Sequence, residues 1–190
     1  MIDITGIILA GGKSSRMGSD KGLIEFNGKP MIQHIIDRFN ELNLPILIIA
    51  NNPAYSKFGY PVVEDLIKDK GPVGGIYTGL MTSNSDRNLI VSCDMPNISS
   101  QLLEHLINQS KGHPLTIPQH GQRLHPLIGV YSKSTLDSFK ASLKNDQLRL
   151  SSICSALDAK IITLSDDLKI NLSADFSNIN TLQDIKQQAI

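Results

Sequence analysis

Ile7-Ile8-Leu9-Ala10-Gly11-Gly12-Lys13-Ser14-Ser15-Arg16-Met17-Gly18-Ser19-Asp20-Lys21 is the stretch that decides the fold. An apolar run of strand length opens directly into two adjacent glycines. Glycine lets the backbone turn sharply and brings its N–H groups close to an anion. Lys13, Arg16 and Lys21 follow at short spacing and add the charge that backbone dipoles lack. Such a loop at the carboxyl end of a first strand is where open α/β sheets place their ligands. The bland alternative is a strand ending in a glycine turn with solvated basic residues. Two familiar phosphate loops are excluded. A Walker A loop requires a glycine five residues before Gly12-Lys13-Ser14, and that position is Ile7. The dinucleotide fingerprint requires spaced glycines, and these are adjacent.

The rest of the chain supplies alternating strands and helices. Ile4 to Leu9 reads as the first strand, Ile46 to Ala50 as the second and Tyr60 to Val63 as a short third. Between the first two, Met31, Ile32, Ile35, Ile36, Phe39 and Leu42 form one helical stripe that starts after Pro30. Pro72 opens a helix with Ile76 and Leu80 inward. Asn88 to Cys93 is a strong strand stopped by Pro96, and Ser99 or Ser100 caps the helix that follows. Leu115 to Pro118 and Leu127 to Tyr131 form a pair of strands around a polar, glycine-containing segment. Ser134 to Lys144 reads as a helix and Lys160 to Leu164 as a late strand. Thr181 with Asp184 resembles a capping box for a last short helix. This order implies a three-layer, Rossmann-like α/β fold with a mostly parallel sheet, formed by residues 1–190 as a single domain.

Bulk composition narrows the function. The 190 residues carry 18 basic and 18 acidic side chains, so no basic face suggests a nucleic-acid partner. Trp is absent and aromatics are few, which disfavours a stacking platform for single strands. Cys93 and Cys154 form no CxxC and read as reduced, buried thiols of an intracellular, cytoplasmic protein. The first apolar run is too short for a signal peptide or a membrane span.

A second chemical centre stands at Asp94, after the apolar strand and before Met95-Pro96. A carboxylate there lies beside the first-strand loop, and magnesium is commonly held by one or two carboxylates plus substrate phosphates. Capping the turn before Pro96 is the alternative role. Asp65 also ends a strand, and it either holds a ribose or base edge or is solvated beside Lys68 and Lys70. Gly71-Pro72-Val73-Gly74-Gly75 offers close backbone approach at a helix start, or simply close packing. His125 either touches a second substrate or is structural. Asn180 either caps the last helix or contacts metal or phosphate.

Leu9-Ala10-Gly11-Gly12, Arg16-Met17-Gly18, Asp20-Lys21 and Asn27-Gly28-Lys29-Pro30 together closely resemble the signature of sugar-nucleotide-type nucleotidyltransferases. Within these the chain is most similar to the molybdenum cofactor guanylyltransferase family. Glu64-Asp65, Gly71 to Gly75, Cys93 to Pro96, His125-Pro126-Leu127 and Asn178 to Thr181 agree in order, so the resemblance spans nearly the whole chain. It implies that Leu9, Ala10 and Gly11 line the guanine and ribose of GTP and that Arg16 and Lys21 hold the triphosphate. Asp65 would contact the nucleoside, as would Asn51, or Ile49 two residues earlier. Asp94 would bind Mg2+, and Asn180 stands where relatives place a second metal ligand.

The implied reaction is attack of the terminal phosphate of molybdopterin on the α-phosphorus of GTP, with pyrophosphate leaving. The attacking phosphate is already anionic near neutral pH, so positioning and charge neutralisation by Arg16, Lys21 and metal-bearing Asp94 carry catalysis. No nucleic acid or membrane enters. Whether other proteins deliver the molybdopterin-type acceptor or receive the product is left open. Two rivals stand beside this reading. One is a related transferase using CTP or another phosphorylated acceptor, and the other is a nucleotide-binding regulatory module without catalysis.

Overall fold

The computed structural model describes residues 4–11, 20–164, 172–181 and 183–185. Strand β1 (Ile4–Leu9) is buried along its whole length, Thr5 and Gly6 included, as a strand covered on both faces must be. It lies between β4 (Ile46–Ile49) and β6 (Arg87–Ser92), parallel to both. Strand β5 (Val62–Val63) extends the sheet beyond β4, again parallel. Beyond β6 comes β9 (Ile128–Ser132), the antiparallel member, then β7 (Leu115–His120) and β10 (Ala159–Thr163). The order is therefore β10-β7-β9-β6-β1-β4-β5, with the short β8 (Arg123–Leu124) folded back on β7.

Alternation along the central strands divides the apolar side chains between two layers of helices. Ile4 and Ile8 of β1, Ile46 and Ile48 of β4, and Leu89 and Val91 of β6 pack under α1 (Met31–Glu41) and α3 (Ser100–Gln109). Ile7, Leu9, Leu47, Ile49 and Ile90 face α2 (Gly71–Thr82), α4 (Leu136–Lys144) and α5 (Leu150–Ala156). The stripe expected on α1 is the buried face, except that Leu42 caps the helix instead of continuing it. Gly6 allows α1 its close approach, because a Cβ there would stand 2.4 Å from the Phe39 ring. Ser99 is the cap of α3, its hydroxyl accepting from Leu102 N at 3.3 Å.

Several elements depart from the sequence reading. The third strand is only Val62–Val63, since Tyr60 and Pro61 precede the pairing. A small hairpin of β2 (Glu25–Phe26) and β3 (Lys29–Pro30) turns at Asn27 (φ 46°) and Gly28 (φ 80°). Two successive positive φ values are what an Asn-Gly hairpin turn supplies. The polar segment after Pro118 is not a plain loop, since β7 runs on to His120 and meets β8. Helix α5 and the single turn α6 (Leu172–Asp175) were also not expected. Asp175 anchors α6 to the start of α3 by accepting from Ser99 N at 2.5 Å.

Candidate active site

The carboxyl ends of β1, β4, β5 and β6 open into a cleft of about 570 Å³, within the usual range for a small-ligand site. Leu9 and Gly11 form part of its wall. Ala10 is turned under it: the residue is 2% exposed, its methyl packs in the α1–α3 layer, and its N–H is bonded to Ile49 O at 2.9 Å. The Leu9 carbonyl likewise accepts from Cys93 N at 3.0 Å. Part of the backbone assigned to the nucleotide is thus already engaged between strands. Arg16 lies outside the described residues, as do Gly12 and Lys13.

Asn51 and Asp65 act as one unit across β4 and β5. Asn51 Nδ2 donates to Asp65 Oδ2 at 2.9 Å, and Asp65 N donates to Asn51 Oδ1 at 3.1 Å. The other carboxylate oxygen, Asp65 Oδ1, is buried without a partner among the described residues. Burial raises the Asp65 pKa, and the Asn51 amide pulls it partly back. Of the two alternatives on β4, the Asn51 side chain meets Asp65, whereas Ile49 is 1% exposed in the core. Gly75 of α2 closes this end, since a Cβ there would be 3.2 Å from Leu9 Cδ2 and 3.6 Å from Asp65 Oδ1. The glycine-rich helix start therefore serves both close packing and access to the carboxylate.

Asp94 stands at the end of β6, with its side chain 15% exposed. Its Oδ1 is buried and unpartnered among the described residues, and Lys21 Nζ lies 3.9 Å from Oδ2. The same ammonium donates to Asn180 Oδ1 at 2.7 Å. The chain returns to this point because Ile179 N donates to Asp94 O at 2.9 Å. Thr181, not Asn180, caps the last turn, in a reciprocal pair of 2.8 and 3.1 Å bonds with Asp184. Asn180 is thereby free of the capping role and turns its side chain to Lys21. Lys21, Asp94 and Asn180 are brought together from three distant segments. Asp94 Oδ1 and Asn180 Oδ1 are oxygen donors of the kind a hard divalent cation takes.

Residues not singled out in the sequence reading hold Lys21 in place. Asp20, just before it, accepts from the phenol of buried Tyr55 and from Asn52 Nδ2 at 3.5 Å. Gly22 fits against that phenol, where a Cβ would be 2.5 Å from Tyr55 Oη. Asn52 also caps the 3-10 turn that carries Tyr55, accepting from Ala54 N at 2.9 Å. The position of Asp20 within the first motif was the available signal. His125 sits apart from these groups, 8% exposed and 4.1 Å from the Phe176 ring centre. Burial, with Arg123 and His120 nearby, lowers its pKa to about 4.

A mostly parallel sheet with its cleft at the strand ends, one carboxylate at a central strand and a lysine from the first loop define a Rossmann-like nucleotidyltransferase. The fold matches molybdopterin-guanine dinucleotide biosynthesis protein A from Archaeoglobus fulgidus with a TM-score of 0.84 over 96% of this chain and 95% of that one, at 22% identity. It also resembles CMP:2-keto-3-deoxy-manno-octonic acid synthetase, with a TM-score of 0.73, 97% and 95% coverage and 15% identity. The family description "MobA-like NTP transferase domain" matches residues 6–160, and this chain belongs to that family. Its relatives include the "Probable molybdenum cofactor guanylyltransferase" of Flavobacterium johnsoniae, 38% identical over 97% of this chain and 96% of that protein. The molybdenum cofactor guanylyltransferase of Vibrio parahaemolyticus is 37% identical over 95% and 92%.

Proposed function

We propose that this enzyme transfers GMP from GTP to the terminal phosphate of a molybdopterin-type molybdenum cofactor and releases pyrophosphate. The observation that carries the reading is the meeting of Lys21, Asp94 and Asn180 next to Asp20 and Ser92, which line a nucleotide-sized cleft that also holds the Asn51–Asp65 pair. The reading is also supported by relatives of that name aligned over nearly their full length.

The residues divide the work by chemistry. Leu9 and Gly75 give the nucleoside an apolar, closely approached floor. The Asn51 amide engages Asp65 Oδ2 and leaves Oδ1, unpartnered among the described residues, as the acceptor for a donor on the nucleoside. Lys21 offers the triphosphate a point charge on a flexible stem. Asp94, with Asn180, would hold Mg2+ by oxygen ligands; no group of three His, Cys, Asp or Glu side chains suited to a metal occurs among the described residues. An ion that keeps waters and substrate phosphates in its shell needs few protein ligands. When bound, it would neutralise charge on the phosphates. Among the described residues no helix is long and apolar enough to cross a membrane.

The test is pyrophosphate release from each nucleoside triphosphate, with and without molybdopterin. Release from GTP that depends on both magnesium and acceptor is the expected result. A preference for CTP would move the assignment to a cytidylyl transfer. Calorimetric binding of GTP with no release under any condition would favour a regulatory module.

A further inference from the structure

A second hollow, of about 230 Å³, opens beside the nucleotide cleft and shares Pro72 and Leu127 with it. It lies on the β9 side of β6, whereas the nucleotide cleft lies toward β1 and β4. Met95, the residue after Asp94, forms one wall, and Asn178, just before the Ile179 tether to Asp94, forms another. Leu124 and Leu150 add apolar surface. The volume is below that of a whole small-molecule site, so the hollow suits one part of a ligand.

We propose that this hollow binds the planar heterocycle of the phosphate-bearing acceptor, with His125 as its hydrogen-bonding partner and Arg123 meeting negative charge at the rim. This rests on the transfer reading above, in which the acceptor is a pterin carrying a phosphate. Four observations support it. The hollow is lined by Met95, the residue after Asp94, and an attacking phosphate must reach Asp94 from outside the nucleotide cleft. Its walls are largely apolar, as the faces of a flat ring system require. His125 is a buried residue that lines the hollow, and its side chain has no hydrogen bond among the described residues. Phe176 packs against that ring and fixes its plane.

The imidazole is also held neutral through the physiological range. A neutral imidazole offers one donor and one acceptor. That suits a heterocycle whose edge presents both, and a buried imidazolium would not. Arg123 is exposed and lines the hollow.

The experiment compares the whole protein with His125→Leu and Arg123→Ala by two readouts. The first is fluorescence titration with pterin-6-carboxylate. The second is steady-state transfer with molybdopterin and GTP varied separately. His125→Leu should weaken the pterin and raise the acceptor KM by about ten-fold, the effect of one buried hydrogen bond, and leave the KM for GTP unchanged. Arg123→Ala, on the surface, keeps the test valid if His125→Leu fails to fold. Should the wild type transfer no GMP yet bind pterin through His125, the transfer reading fails and the hollow stands. Normal transfer with acceptor KM and pterin binding unaffected by both substitutions overturns the hollow. Equal weakening of GTP and acceptor by His125→Leu also overturns it, because that marks a merely structural histidine.

Discussion

Replacing Asp94 by alanine should separate activity from stability in a way the local geometry sets. Its Oδ1 is buried with no partner among the described residues, and a stranded polar atom costs about 1–3 kcal/mol, more when charged. Against this stands the Lys21 contact at 3.9 Å, a long and partly exposed pair whose contribution is about 0–1 kcal/mol. The backbone link from Ile179 N to Asp94 O does not depend on the side chain. The sum predicts that ligand-free Asp94→Ala is as stable as the wild type, or up to about 3 kcal/mol more stable, by urea denaturation. Turnover should fall about 10²–10³-fold, the usual effect of removing one main electrostatic stabiliser. Thermal unfolding with magnesium and GTP adds a control, since ligands stabilise only the state that binds them. Magnesium should raise the Tm of the GTP-bound wild type and leave that of the variant unchanged. A folded variant with near-normal turnover would refute the assignment of the metal to Asp94. A variant that loses several kcal/mol of stability would show instead that the carboxylate is part of the scaffold.

Other predictions probe the neighbouring parts. Lys21→Ala should weaken GTP by roughly 1.5–3 kcal/mol while leaving guanosine unchanged, as calorimetry would show, because guanosine has no phosphates. Equal losses for both would mean that Lys21 shapes the loop. Asn51→Ala leaves Asp65 Oδ2 and Asp65 N without their shared partner, and GTP affinity should drop by about 1–3 kcal/mol. Unfolded, the His125 imidazole titrates near 6.5, and folded near 4, so between these values the unfolded chain binds the extra proton. Its contribution to stability is therefore complete above pH 6.5 and is lost as pH falls toward 4, by about 1.4 kcal/mol per unit. His125→Leu should lose less stability than the wild type between pH 7.5 and pH 4.5 in urea titrations. Gly6→Ala sets a methyl against the Phe39 ring and should destabilise by about 1–3 kcal/mol, whereas no change would show that α1 can move away.

Legibility in the sequence followed the strength of periodicity. Strand β1 was readable because the apolar run Ile7 to Ala10 ends at two glycines, and α1 because its stripe is regular. The β7–β8 hairpin was hidden because Gln119 to Pro126 is mostly polar and mostly exposed or half-buried, so no alternation is enforced. The β2–β3 hairpin had a readable sign in Asn27-Gly28, but its strands are two residues each and carry no period of their own. At the site, Asp94 and Lys21 stood out by position within a strand end or a loop. The Asn51–Asp65 pairing and the Asp20–Tyr55 support depend on which loops meet in space, and spacing along the chain does not encode that. Helix α6 was missed for the same reason, since one turn held by Asp175 to the start of α3 has no helical stripe to reveal it.

The polar atoms stranded in the core sharpen the distinction between scaffold and site. Besides Asp65 and Asp94, Asn88 Oδ1 and Thr116 Oγ1 are buried without a partner among the described residues. The latter two are neutral groups inside strands. The Asn88 amide still donates to the carbonyls of Ser85 and Asp86 at 3.2 Å each, so both of its donors are used. A carboxylate oxygen is far costlier to desolvate than an amide or hydroxyl oxygen. Both stranded carboxylate oxygens belong to residues just past strand ends, Asp65 lining the cleft and Asp94 two residues beyond its Ser92 wall, and the sequence could have avoided the cost with Ser or Asn at either place. Local rules are most often broken where function requires it. What the two acids share is an unpartnered oxygen, one next to the Gly75 approach and one on the carboxylate that Lys21 meets. The ligand that satisfies them must therefore carry a hydrogen-bond donor at one end and draw a cation to the other, as a nucleoside triphosphate with its metal does.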